Sequence, residues 1–168
     1  MLRAGDSDFI VLAEQQTQGR GRRGRQWHSP YASNLYFSYA WSVTKGVQQL
    51  EALSLAVGLA VYRALSRMGV ADLGVKWPND LLVANKKIAG ILVELVGDIT
   101  DRCNAVIGIG INVNMCAQQD IEQPWTSLQL ELQRPVDRNQ LLIEVFAQLQ
   151  QVLLTQFEHG FAPLQREW

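Results

Sequence analysis

The sequence predicts an α/β (α+β) fold in which a mixed, largely antiparallel sheet is backed by helices. Three observations predict it: strand-like apolar runs cluster early, one long helical stripe lies among them, and a second long stripe closes the chain. Strands and helices do not alternate regularly, so a doubly wound sheet is not expected. The 168 residues, 48% of them apolar, fit one domain over 1–168 that buries its own core.

The predicted strands are short runs of apolar and aromatic residues. The first run, residues 9–13, is continuously apolar, and we expect it to form a buried strand. An aromatic run at 35–41 predicts the second strand. Turn residues at 78–80 and 85–87 separate the later strands, which are predicted at 74–77, 81–83, 88–96 and 104–113.

Two longer segments carry helical periodicity. In residues 50–68 apolar side chains recur every three or four positions, and Gly69 is a natural stop. Apolar positions in residues 141–157 form the cleanest stripe of the chain. Asp137 predicts the start of this second helix by capping it, and Gly160 predicts its end.

Charge and composition exclude several classes of protein. Fifteen basic and sixteen acidic residues give a net charge of −1, so bulk attraction to nucleic acid or to a membrane is not expected. No apolar run is long enough to span a bilayer, and the N-terminus has no signal-peptide core. Cys103 and Cys116 are too few for a disulfide framework, and we expect buried or half-buried free thiols in a reducing compartment. These features predict a cytoplasmic protein without a membrane or a specific nucleic-acid partner.

The segment Gly19–Arg25 (GRGRRGR) is the most unusual feature of the sequence. Glycines let a backbone approach a ligand closely, and arginines bind carboxylates and phosphates with a planar fork. Such a loop favours anion binding, while a solvated loop or an RNA-binding Gly/Arg segment are the alternatives. The glycines match neither the P-loop nor the dinucleotide-binding pattern.

Three further stretches could contribute to a site. Residues 76–80 (KWPND) place a cation, an aromatic ring, an amide and a carboxylate near a strand end, although a structural turn would also explain them. Lys87 lies at the mouth of an apolar strand, either in a pocket or exposed in a hairpin. Glycines at 108 and 110 leave one face of a strand without side chains, which a ligand or a packed helix could cover.

Taken together and in this order, these stretches closely resemble the catalytic domain of the biotin protein ligases, the biotin–[acetyl-CoA-carboxylase] ligases. The resemblance covers nearly the whole chain, and although no single motif is decisive, the set in register is highly specific. It lies in Gln16, Gly19–Trp27 (GRGRRGRQW), Ser29-Pro30, Asn34-Leu35-Tyr36, Lys76–Asp80 (KWPND), Lys87–Glu94 (KIAGILVE) and Gly108–Asn112 (GIGIN).

The resemblance implies a class II synthetase-like fold of the biotin–lipoate ligase type and a two-step reaction. Biotin and ATP with Mg²⁺ would form biotinyl-5′-adenylate, and a lysine of a biotin carboxyl carrier domain would then take the biotin. Fixed cations suit this chemistry because two anions, a carboxylate and a triphosphate, must be brought together. No protein-held metal is expected, since ATP phosphates would carry the magnesium.

The resemblance also implies roles for individual residues. The expected catalytic residues are Arg22 and Lys87, which would neutralise the anions, and Asp80, which would orient or deprotonate the incoming amine. The biotin site would comprise Gln16, Gly19, Arg20, Gly21, Arg22, Lys87, Gly90, Leu92, Gly108 and Gly110. The nucleotide site would comprise Arg22, Arg25, Trp27, Lys76, Asn79 and Asn112, with Trp27 stacking on adenine.

Against the family pattern, the chain reads as a partial catalytic domain. We expect that an upstream Ser-Thr-Asn segment, a DNA-binding domain and a C-terminal β-barrel are absent, and that an open sheet edge favours a homodimer. Two rival functions stay open: a related lipoate or octanoate ligase or transferase, and a non-catalytic biotin-binding remnant or Gly/Arg RNA binder.

Overall fold

The structure, a computed structural model, describes residues 8–43, 50, 52–97, 103–117 and 121–167. In chain order the strands are β1 (Phe9–Ala13), β2 (Leu35–Val43), β3 (Leu73–Lys76), β4 (Asp80–Val83), β5 (Lys86–Gly97) and β6 (Cys103–Ile111). The α-helices are α1 (Leu53–Arg67), α2 (Leu128–Leu132) and α3 (Arg138–His159). Short 3₁₀ turns lie at Arg22–Gly24 and Gln165–Glu167.

The six strands form one sheet in the order β1-β2-β6-β5-β4-β3, and every ladder among them is antiparallel. Strands β5 and β6 pair at the centre of the sheet, and Gly90 of β5 lies directly opposite Gly110 of β6. A parallel element enters as an isolated bridge between Lys87 and Trp125. The predicted fold class, a largely antiparallel sheet backed by helices, is confirmed.

Helices α1 and α3 pack against each other and cover one face of the sheet. Alternation along a strand sends Ile91, Ile107 and Ile109 into this apolar layer, where each is at most 2% exposed. The small residues of α1, with Gly58 against Val75 and Ile91 side chains, allow the helix to lie close to the sheet. The opposite face of β5 and β6 is therefore left for the cavity described below.

The helix ends follow the predicted signals. The Asp137 side chain accepts hydrogen bonds from the backbone N–H groups of Asn139 and Gln140, which caps α3. Gly69 adopts a φ of 94° just after α1, and Gly160 a φ of 70° after α3. Within the described residues, no helix is both long and apolar enough to cross a membrane.

Two sequence expectations are wrong and one element was missed. Strand β1 is not buried, because among the described strands it pairs with β2 alone at the edge of the sheet, and Val11 and Leu12 are each 53% exposed. Cys116 is an exposed free thiol, while the side chain of Cys103 lies outside the described residues. The short helix α2, capped by Ser127, was not predicted because five residues carry too little periodicity to be recognised.

Candidate functional site

The sheet face opposite the helices carries a cavity of about 530 Å³, within the usual range for a small-molecule site. Its floor is formed by the residues of β5 and β6 that face away from the helices, and three of these residues are glycines. The predicted residues that line it are Gln16, Arg20, Gly21, Arg22, Arg25, Trp27, Asn79, Lys87, Gly90, Leu92, Gly108, Gly110 and Asn112.

Three predicted residues lie outside this lining. Lys76 is exposed on β3 and does not reach the cavity. Asp80 does not line the cavity itself, but it forms an ion pair with Lys87, which does. Gly19 is buried at the start of the loop formed by residues 19–27, where an added Cβ would lie 2.6 Å from the Trp27 carbonyl oxygen.

The Gly/Arg loop, residues 19–27, folds as a small hairpin over the cavity. The Trp27 N–H donates to the Gly19 carbonyl at 2.9 Å, and the Gly21 N–H donates to the Arg25 carbonyl at 2.6 Å. The turn at Arg22–Gly24 contains two left-handed residues, the second of which is a glycine. The loop is therefore a defined turn that presents exposed arginine side chains at the cavity mouth.

The arginines of this loop differ in their partners. Arg20 forms an ion pair with Glu94 of β5 at 2.8 Å. Arg22 and Arg25 are exposed, and within the described residues neither belongs to an ion pair. Their charges are thus available to an anion that enters the cavity.

Lys87 places a cation inside the cavity. Its Nζ lies 2.8 Å from Asp80 Oδ1, and the two side chains are 13% and 17% exposed. The same Nζ lies 5.3 Å from the centroid of the Trp27 ring. Its neighbour Lys86 points elsewhere and pairs with Glu131, so two consecutive lysines have different environments.

Asn79 and Asn112 are held by backbone contacts at the cavity wall. Asn79 Nδ2 donates to the Ile91 carbonyl at 3.0 Å, and the Ile91 N–H donates back to the Asn79 carbonyl. Asn112 Nδ2 donates to the carbonyls of Thr126 at 3.0 Å and Lys87 at 3.4 Å. Each amide thereby fixes the spacing between two segments that line the cavity.

The segment 121–126 was missed as part of the site. Lys87 N–H donates to the Pro124 carbonyl and Thr126 N–H donates to the Lys87 carbonyl, each at 2.9 Å, so the segment runs beside the start of β5. It adds Ile121, Glu122, Gln123 and Trp125 to the cavity wall. The sequence signal was a tryptophan after a proline in a mostly polar stretch.

Trp27 lies over two glycines, Gly90 and Gly110, that the resemblance assigned to the biotin site. Ideal Cβ atoms on Gly110 and Gly90 would lie 2.6 Å and 2.9 Å from atoms of its indole. The uncovered part of the floor is Gly108, whose Cβ would have Leu92 and Ser38 as its nearest neighbours, at 3.4 Å or more. The glycine floor is thus divided between a part under the indole and a part open to the cavity.

Burial also changes the chemistry of a tyrosine beside this floor. Tyr36, opposite Gly110 in the sheet, is 1% exposed and donates its hydroxyl to the Pro30 carbonyl. Burial raises the pKa of Tyr36 to about 12, while hydrogen bonds with Asn34 and Ser29 and the charge of Arg138 act in the opposite direction. Within the described residues, no group of three His, Cys, Asp or Glu side chains could hold a metal ion.

Comparisons with known proteins match both the sequence and the fold. The model of the biotin/lipoate A/B protein ligase family matches residues 2–112. The bifunctional ligase/repressor BirA of Salmonella typhimurium is 40% identical over 169 residues, covering 99% of this chain and 52% of that protein. The biotin–[acetyl-CoA-carboxylase] ligase of Paracoccus denitrificans is 36% identical, covering 94% of this chain and 68% of that protein.

A solved structure agrees with these matches. The biotin protein ligase of Aquifex aeolicus in complex with biotin and ATP superimposes with a TM-score of 0.78 at 32% identity. The match covers 96% of this chain and 66% of that one. This chain spans about half the length of BirA.

Proposed function

Because the chain belongs to the biotin/lipoate A/B protein ligase family, we propose that it activates biotin with ATP and transfers it to a lysine of a biotin carboxyl carrier domain. One observation carries this proposal: a single cavity combines a lysine that is 13% exposed and two exposed arginines with a patch of sheet free of side chains. The cations suit a carboxylate and a triphosphate, and the bare patch suits a flat ring. The relatives are named as biotin ligases, which favours biotin over lipoate as the acid.

In the first step, a carboxylate oxygen of biotin attacks the α-phosphorus of ATP. The new O–P bond gives biotinyl-5′-adenylate, and pyrophosphate leaves with the electrons of the broken P–O bond. Lys87 and Arg22 oppose the negative charge of the two reactants, which lets them approach and stabilises the charge that builds up between them. Arg25, Asn79 and Asn112 contribute the wall of the nucleotide side of the cavity.

In the second step, the amine nitrogen of the carrier lysine attacks the acyl carbon, AMP leaves, and the amine loses a proton. Asp80 lies 2.8 Å from Lys87 Nζ, which supports a role in orienting Lys87. We therefore assign Asp80 as a positioning residue for that lysine, and leave the proton of the incoming amine to solvent or to the phosphate.

For biotin itself, we place the ring on the open part of the floor formed by Gly108 and Leu92, with Gln16 and Gly21 at its border. We assign Mg²⁺ to the phosphates of ATP, because the cavity offers them cations and amides rather than a carboxylate cluster. The reaction requires ATP and the carrier protein, so we propose that it takes place in the cytoplasm.

The test is a mass-spectrometric search for the acyl adenylate after the 168-residue chain is mixed with ATP, Mg²⁺ and one acid. Biotin, lipoate and octanoate are supplied in separate reactions, and a purified carrier domain is added afterwards. We expect an adenylate and a carrier mass increase with biotin only. An adenylate formed from lipoate or octanoate instead would identify the rival ligase, and the absence of any adenylate would reject the enzymatic proposal.

We also propose a homodimer that pairs through β1, the edge strand on which Val11 and Leu12 are each 53% exposed. Sedimentation velocity of the parent chain and of Val11→Lys tests it. We expect the charged variant to be monomeric at concentrations where the parent is dimeric, and a parent that is already monomeric would reject the dimer.

A further inference from the structure

The paired glycines Gly90 and Gly110 form a gap in the sheet surface that the indole of Trp27 fills. They lie opposite each other on β5 and β6, so their missing side chains leave one continuous bare patch. A Cβ on Gly110 would lie 2.6 Å from Cε2 and Cζ2 and 2.9 Å from Nε1 of the indole. A Cβ on Gly90 would lie 2.9 Å from Cζ3 of the same ring. Real Cβ atoms do not approach ring atoms this closely, so the indole can occupy this place only above two glycines.

The three floor glycines differ in what surrounds them. All three nearest neighbours of a Cβ on Gly110 are atoms of Trp27. A Cβ on Gly90 would also contact Lys87, at 3.2 Å and 3.3 Å. For a Cβ on Gly108, on the same face and two residues from Gly110, none of the three nearest atoms belongs to Trp27, and the nearest lies at 3.4 Å. Gly110 and Gly108 are therefore a matched pair for separating the effect on Trp27 from the effect on the strand.

Trp27 in turn closes the Gly/Arg loop, since its backbone N–H donates a hydrogen bond to the Gly19 carbonyl at the loop base. The other side-chain link between the loop and the sheet within the described residues is the ion pair of Arg20 with Glu94, which are 71% and 39% exposed. Exposed ion pairs contribute little, whereas a half-buried aromatic ring packed against two strands contributes a large apolar contact. The seated indole is thus the stronger of the two links.

We propose that Gly90 and Gly110 are positioning residues that act through Trp27: they form a socket for its indole and so hold the arginine-bearing loop over the cavity. The socket requires a ring rather than the indole N–H, because Trp27 Nε1 is buried and no described residue accepts a hydrogen bond from it. This gives the two glycines a role in addition to lining the cavity, where Gly108 is the floor glycine that the indole leaves uncovered.

Trypsin cleavage of the 168-residue chain after Arg22, Arg23 and Arg25 tests the socket, with cleavage within α1 as the reference for global unfolding. We expect Gly110→Ala and Trp27→Ala each to accelerate loop cleavage about fivefold or more, because the first overpacks the indole and the second removes it. Gly108→Ala and Trp27→Phe should stay within about twofold of the parent, because one leaves the indole in place and the other keeps a ring.

The double variant decides whether the glycine acts through the tryptophan. If it does, Gly110→Ala adds nothing in the Trp27→Ala background, where the space is already empty. This comparison remains usable if the single Gly110→Ala chain does not fold. The proposal is overturned if Gly108→Ala accelerates loop cleavage as much as Gly110→Ala does, or if Gly110→Ala keeps its full effect without the indole. No biotin or ATP is present, so the result is independent of the proposed function.

Discussion

Replacing Lys87 by Met tests the central cation of the cavity, and Lys86→Met is its matched control. The first lysine is 13% exposed inside the cavity and the second is 46% exposed outside it. Methionine keeps most of the apolar stem and removes the charge. A lost charge-assisted contact costs about 1.5–3 kcal/mol, which is roughly a tenfold to hundredfold loss in the rate of adenylate formation. Lys86→Met is expected to leave that rate unchanged.

The same substitution has a separate effect on stability. Lys87→Met leaves the carboxylate of Asp80, which is only 17% exposed, without its partner at 2.8 Å. Breaking a fully buried pair costs about 3–5 kcal/mol, and the residual exposure here reduces our expectation to about 2–3 kcal/mol. Adding Asp80→Asn removes the stranded charge, so the double variant should regain most of the stability and none of the activity.

Two measurements check this reasoning. Biotin-dependent release of pyrophosphate reports the activation step, and urea unfolding reports the free energy of unfolding. A Lys87→Met chain that releases pyrophosphate at the parent rate would refute the role of Lys87. A double variant that stays as unstable as Lys87→Met would refute the account of the stranded carboxylate.

Three further predictions follow from the same structure. Asn112→Ala should lower the free energy of unfolding by about 1–3 kcal/mol and weaken ATP binding, because its amide joins two cavity segments. Asn114→Ala, which breaks comparable bonds to Val136 away from the cavity, should lower stability alone when both are compared by calorimetry and urea unfolding. Burial raises the pKa of Tyr36 to about 12 from an ordinary value of 10, so the contribution of Tyr36 to stability should be constant below pH 10 and be lost as the pH rises toward 12. Tyr36→Phe should flatten that decline by up to about 1.4 kcal/mol per pH unit, and an unchanged slope would contradict the assignment. Biotin with ATP should slow trypsin cleavage of residues 19–27, and equal cleavage with and without them would contradict anion binding by the loop.

Much of the fold could be predicted because its signals are local. The predicted strand at 35–41 appears as β2, and the periodic segment at 141–157 lies within α3. Asp137 caps α3 because the carboxylate of the residue directly before a helix can reach the free N–H groups two and three residues further on, without help from the rest of the chain. The motif set was likewise visible, since its residues could be recognised in order before any of them had a position in space.

The tertiary structure decided which of these residues meet, because burial and contact depend on partners distant in sequence. The apolar run at 9–13 is a partly exposed edge strand, since of the strands that the structure describes β2 alone pairs with it. Lys76 belongs to a recognised motif, yet its strand lies at the far edge of the sheet and keeps it out of the cavity. The residues at 121–126 enter the cavity through backbone bonds to Lys87. The spacing of the glycines predicted a patch of sheet without side chains. That Trp27 covers part of this patch was decided by the packing of its loop on β5 and β6.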